Sequence, residues 1–178
     1  RRAWALPYSL SSITGQTRKP DEVVIVLKPS GDGSEEVIDK FSSQLPLKLL
    51  LQEKGNFTDA VHMAIDNAIG DVILFLDDDA VAEEKWTEKY ERLFMSLPNA
   101  GGISGVTYRA YVRNGELIKT NEYFYEFAPT KNMLHRKPLP EYSSYYGWIA
   151  RSGFMGAKMP PSELFLSVLL GGVNMGWL

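Results

Sequence analysis

Apolar and polar positions follow two alternating rhythms over the first hundred residues. Glu22–Leu27, Leu47–Leu51 and Val72–Leu76 are short, nearly unbroken apolar runs, of the length and branching of buried strands. Between them, apolar residues recur at three- and four-residue spacing, which predicts amphipathic helices. Leu6, Leu10 and Ile13 make one such face, ended by Gly15 and Pro20, and Val37, Ile38 and Phe41 make the next. Asp32 is placed to cap that second helix, with Glu35 completing a capping box. Thr58 is placed to cap a third helix, in which Val61, Ala64, Ile65 and Ala68 share a face and Gly70 is the stop. A fourth runs from Glu83 to Met95 with Trp86, Tyr90 and Leu93 inward, and ends before Pro98. Strands alternating with helices predict an α/β fold with a parallel sheet and right-handed crossovers.

The second half has a different texture. Ala100 to Val112 reads as strand, paired with Glu116 to Thr120 across the turn Arg113-Asn-Gly-Glu116. Glu122 to Trp148 is rich in Tyr, Phe and Pro without a clear period, which suits either the lining of a cleft or the cover of a small core. Pro160 to Glu163 reads as a turn into a helix.

Candidate chemistry collects at one junction. Asp77, Asp78 and Asp79 follow directly on the apolar run Val72–Leu76. Ligands of open α/β sheets gather at the carboxyl ends of strands. Alternation along an extended chain would put Asp77 and Asp79 on one side and Asp78 on the other. Carboxylates crowded together repel unless a cation neutralises them. The pattern therefore predicts a site for Mg²⁺ or Mn²⁺, hard cations that take oxygen ligands and keep positions open for substrate phosphates. The structural alternative is that Asp79 merely caps the following helix. Three aspartates in succession after an all-apolar strand favour the cation.

Composition narrows the rest. The 178 residues are 44% hydrophobic and 23% charged, enough for one soluble domain with a sizeable core. A net charge of −3, with Lys and Arg scattered, gives no electrostatic footprint for nucleic acid. The absence of cysteine excludes disulfides, thiolate metal sites and a Cys nucleophile. No apolar stretch approaches the roughly 20 residues that span a bilayer. There is no Walker A loop, no GxGxxG fingerprint and no GxSxG elbow. His62 reads as a surface or sheet-edge residue, and nothing pairs His135 with a nucleophile. Asn56-Phe-Thr58 matches a glycosylation sequon, but Thr58 is accounted for as a cap. The Arg1-Arg2 start, without a signal core or initiating Met, and the abrupt end at Leu178 suggest a fragment at both ends.

The segment Thr58–Asp79 resembles the core block of family 2 glycosyltransferases, with Ala60, Ala68, Gly70, Asp71 and the aspartate triplet in register. Arg2, Leu6, Leu10, Ser12, Ile13, Gln16 and Thr17 resemble that family's first helix, and Pro20 with Glu22–Val26 its second strand. The likeness is clear over Arg2–Leu97, weak beyond, and returns in Gly171-Gly-Val-Asn-Met175, similar to a stretch leading towards the acceptor site. The resemblance implies a GT-A fold, a Rossmann-like three-layer sandwich with a mostly parallel central sheet. It also implies a single domain over 1–178, with 1–97 holding a nucleotide-sugar and 98–178 on the acceptor side.

By the same resemblance, Asp79 would ligate the divalent cation bridging the donor's diphosphate, and Asp77 would contact the ribose or assist the metal. Asp78 would lie with them in the donor site. The implied partners are a nucleotide-diphosphate sugar and an acceptor (glycan, lipid or protein) that the residues do not specify. The implied reaction is inverting transfer in polysaccharide or glycolipid biosynthesis, with a base carboxylate expected after Leu178; Glu163 is not assigned that role. Two positions depart from the pattern. Leu27-Lys28 stands where the family often has Asp-Asp, so that Lys28 would meet a phosphate or be solvated, and Val61-His62 replaces Arg-Asn. A nucleotidyltransferase on a related sheet, or a catalytically impaired sugar-nucleotide-binding module, remain the alternatives. The expected compartment is the cytoplasm, with membrane attachment at its inner face left to parts outside this chain.

Overall fold

The computed structural model describes residues 2–123, 133–152, 155–157 and 174–178. It divides into two compact units, Arg1–Ile103 with Val173–Leu178, and Ser104–Gly172. The first unit carries α1 (Leu6–Thr14), β1 (Val23–Leu27), α2 (Ser34–Asp39), β2 (Leu47–Leu51), α3 (Phe57–Asn67), β3 (Ile73–Leu76) and α4 (Trp86–Ser96). β4 (Gly102–Ser104) follows, and β9 (Asn174–Trp177) returns from the far end of the chain.

β1 and β2 pair in parallel, Val23 opposite Leu47 through Leu27 opposite Leu51, as the βαβ rhythm requires. β3 differs from the expectation of a strand within a continuous parallel sheet. Its hydrogen-bonded neighbour is β9, antiparallel, in a sheet ordered β3-β9-β4. Among the described residues β1 and β3 are not paired with each other, and every residue of both strands is half-buried rather than buried. At their N-terminal ends the two are tied by Glu22, whose Oε1 accepts from Ile69 N (2.5 Å) and Gly70 N (3.1 Å).

The core explains the helical spacing. Leu6, Leu10 and Ile13 of α1, Ile38 of α2 and Trp86, Tyr90 and Phe94 of α4 form one buried cluster, against which the side chains of β1 and β3 pack. On α4 the inward row is Trp86, Tyr90 and Phe94, at four-residue spacing, while Leu93 is half-buried. Trp86 meets Tyr90 edge-on at 5.6 Å between ring centroids. β9 approaches this row so closely that glycine is required. A Cβ at Gly176 would lie 2.6 Å from Leu74 Cδ2 and 2.9 Å from the Tyr90 ring.

Three local expectations change. α3 is capped by Asn56, not Thr58: Asn56 Oδ1 accepts from Thr58 N (2.8 Å) and Asp59 N (3.3 Å), and Asp59 Oδ2 accepts from Asn56 N (2.7 Å). The helix opens at Phe57, two residues earlier than a Thr58 cap would allow, which moves the cap upstream. α3 also ends at Asn67, with Ala68 already extended, so Gly70 is not its stop. α2 has Gly33 as its N-cap, at φ 86°, and no side-chain cap. Asp32 sits one residue too early to cap; its Oδ1 instead accepts from Ser34 Oγ (2.6 Å) and Ser34 N (3.2 Å). Those bonds, with the Ser34 hydroxyl contributing most, hold the Asp32 carboxyl below the ordinary range.

In the second unit, β5 (Tyr108–Arg113) and β6 (Glu116–Tyr123) form an antiparallel hairpin. Its two-residue turn is Asn114-Gly115, both at positive φ (54° and 82°), the turn whose twist suits paired strands. Short 3₁₀ turns at Met133–His135 and Pro140–Tyr142 lead to a small antiparallel pair, β7 (Gly147–Ile149) and β8 (Met155–Ala157). Trp148 is buried there and donates from Nε1 to the His135 carbonyl (3.0 Å). Part of the aromatic segment, the turn expected at Pro160–Glu163 and the Gly171-Gly-Val173 stretch lie outside the described residues. Among the described residues no helix is long and apolar enough to cross a membrane.

Candidate donor site

β3 delivers Asp77 to its carboxyl end, and there the backbone stops being extended. Ala80 N donates to the Asp77 carbonyl at 3.0 Å, closing a turn over Asp77–Ala80. The strand alternation expected for the triplet therefore does not continue through it. Asp78 does not point away from Asp79. Both reach one nitrogen, Arg2 Nη1, at 2.9 Å from Asp78 Oδ1 and 2.8 Å from Asp79 Oδ2. Asp79 does not cap α4 either: that helix starts at Trp86 behind Lys85, with no side-chain cap.

The three carboxylates are not equivalent. Asp77 is half-buried, whereas Asp78 and Asp79 are exposed. Burial raises the Asp77 pKa first, the charges of Asp79 and Asp78 raise it further, and Arg2 acts in the opposite sense. The turn is thus short of positive charge, and Arg2 supplies part of it. Ala3 N also donates to Asp32 Oδ2 (3.4 Å), so residues 2 and 3 touch the loops after β1 and after β3 alike.

The loop from the triplet to α4 is fixed by α1. Ser12 Oγ accepts from Ala82 N at 3.0 Å. Gln16, only 1% exposed, donates from Nε2 to the carbonyls of Ser12 (2.9 Å) and Glu83 (2.7 Å), and its Oε1 accepts from Thr87 N (3.0 Å). A buried amide satisfied on both ends is costly to disturb, and this one locks the segment that presents the aspartates. Neither Arg2 nor Gln16 stands out in the sequence as a site residue. Their partners lie 76 and 67–71 positions away, beyond the reach of any local pattern.

Lys28 lies beyond the end of β1, with Nζ donating to the Gly55 carbonyl at 3.0 Å. Gln52 N donates to the Leu27 carbonyl (2.8 Å), and Gln52 Nε2 to the Asn56 carbonyl (3.0 Å). Lys28 therefore helps hold the loop ahead of α3. His62 is exposed on α3.

Asp77, Asp78 and Asp79 offer oxygen donors only, in a turn where carboxylate charge exceeds its compensation. That chemistry fits a hard divalent cation held by one or two carboxylates and completed by phosphate oxygens and water. It does not form an all-protein cage: among the described residues no group of three or more His, Cys, Asp or Glu is arranged to enclose a metal.

Residues 2–154 match the family model described as Glycosyl transferase family 2. The chain belongs to glycosyltransferase family 2. Its fold is accordingly GT-A, Rossmann-like α/β, and a solved structure agrees. That structure is the mannosyltransferase PcManGT from Pyrobaculum calidifontis in complex with GDP-Man and Mn²⁺, similar with a TM-score of 0.54 and 23% identity. The match covers 61% of this chain and 33% of the mannosyltransferase, so this family 2 chain spans about a third of that protein's length. No curated protein matches the chain.

Proposed function

We propose that this family 2 chain carries the donor-binding part of a glycosyltransferase that moves a sugar from a nucleotide-diphosphate donor to an acceptor hydroxyl, with inversion. One observation carries the reading. A half-buried aspartate and two exposed ones close the strand β3, in a turn whose negative charge is only partly offset. The family match and the Mn²⁺ and GDP-Man held by the similar mannosyltransferase support it.

Asp79, assisted by Asp77, would hold Mg²⁺ or Mn²⁺, and the exposed Asp78 would lie beside the donor. When bound, the cation supplies Lewis-acid compensation for charge growing on the departing diphosphate. The chain's own part is positioning. Gln16 and Ser12 hold the loop after the triplet, which keeps the carboxylates in one place as the donor arrives. Lys28 takes a structural role in this reading through its bond to Gly55. The compartment proposed is the cytoplasm, where sugar nucleotides are available to such a site.

Calorimetry of GDP and UDP binding, with and without Mn²⁺, tests the reading directly. Affinity is expected to depend on the metal and to fall at least tenfold in Asp79→Ala. Equal affinity with and without Mn²⁺ would overturn it.

A further inference from the structure

The donor-site reading leaves one charged group at the turn unused. Arg2 lies ahead of α1, and a single guanidinium nitrogen bridges Asp78 and Asp79 at 2.9 and 2.8 Å. All three side chains are 42–53% exposed, so the bridge lies open to solvent. Exposed ion pairs of this kind are weak and exchange readily. A divalent cation brings twice the charge in a smaller volume to the same oxygens.

We propose that Arg2 is a built-in counter-ion, occupying the carboxylates of Asp78 and Asp79 until a divalent cation displaces it, and then turning to the donor's diphosphate. The proposal deepens the donor-site reading and rests on it. Displacement leaves a guanidinium beside a dication, a repulsive pair unless an anion joins them. A diphosphate presents several charged oxygens, two of which the planar fork of an arginine can grip at once. The same side chain would thus weaken metal binding in the empty protein and strengthen it once donor is present. Metal and donor would then bind cooperatively, each strengthening the other by the same factor.

The test needs no turnover. Mn²⁺ alone is titrated into the wild-type protein, Arg2→Ala and Arg2→Lys by calorimetry, and then inorganic pyrophosphate into each Mn²⁺-loaded protein. Loss of the competing guanidinium is expected to tighten Mn²⁺ binding in Arg2→Ala by about three- to tenfold, the range set by two weak exposed pairs. It is also expected to weaken pyrophosphate binding by about tenfold, with Arg2→Lys recovering a good part of that loss. Unchanged or weaker Mn²⁺ binding in Arg2→Ala overturns the counter-ion role and leaves the donor site standing, because it makes Arg2 a structural clamp. Failure of Mn²⁺ to bind any of the three proteins, alone or together with pyrophosphate, overturns the donor-site reading, and the inference with it.

Discussion

α3 and α4 are both eleven residues long and stand on either side of β3 in the sequence, yet they are held in opposite ways. α3 has a complete capping box from Asn56 and Asp59, and none of its residues is buried. α4 has no side-chain cap, and buries Trp86, Thr87, Tyr90 and Phe94. One helix is fixed mainly by its own first turn, the other by what it lies against. The difference follows from the neighbours. α4 rests on β3 and β9 and is pinned through Thr87 to Gln16, whereas α3 lies over a two-stranded sheet and leaves Phe57 78% exposed. The aspartate turn is joined to the better-packed helix, as a site that must hold its geometry requires.

Removing core contacts breaks the comparison most severely. Phe94→Ala is expected to cost about 3–5 kcal/mol, the range for deleting a buried aromatic ring, while Phe57→Ala on α3 stays within about 0.5 kcal/mol. Urea unfolding of the two variants checks this, and similar losses would mean that both helices rely on packing. Cap removal should reverse the order. Asn56→Ala is expected to cost about 1 kcal/mol, with faster amide exchange at Thr58 and Asp59, while Lys85→Ala at the start of α4 changes little. An unaltered α3 in Asn56→Ala would show that the capping box is not what holds it.

The smallest effect belongs to the turn between the helices. Burial first, then Asp79 and Asp78, hold the Asp77 carboxyl above its ordinary pKa, so the folded chain binds that proton more tightly than the unfolded chain. The resulting stabilisation is full below the ordinary carboxylate pKa and is lost as pH rises through the raised value. Metal-free Asp77→Asn is therefore expected to melt slightly higher than wild type at neutral pH. The gap should close well below the ordinary carboxylate pKa of about 3.9. A lower Tm at neutral pH would count against this account of the turn.

What was legible in the sequence follows the range of the interactions involved. β1 and β2 fall within one residue of the apolar runs, and Trp86 and Tyr90 face inward as their spacing says, because burial periodicity is written locally. Caps were less legible. Asn56 and Thr58 are both good capping residues two positions apart, and only the backbone decides between them. The aspartate triplet could be found, but not its conformation, since strand alternation says nothing about where a strand gives way to a turn. Arg2, Gln16 and β9 were beyond local reading altogether, because each meets its partner across 60 residues or more.

β9 carries that distance into the life of the chain. β3 is complete at Leu76, but the strand that pairs with it begins at Asn174. At synthesis rates of about 5–20 residues per second, roughly 5–20 s separate the two on the ribosome. Throughout that interval Leu74, Tyr90 and Phe94 wait without the glycine that later presses on them. The emerging chain thus carries a greasy, half-finished surface, and the unit bearing the aspartates becomes whole only once residues 174–177 arrive.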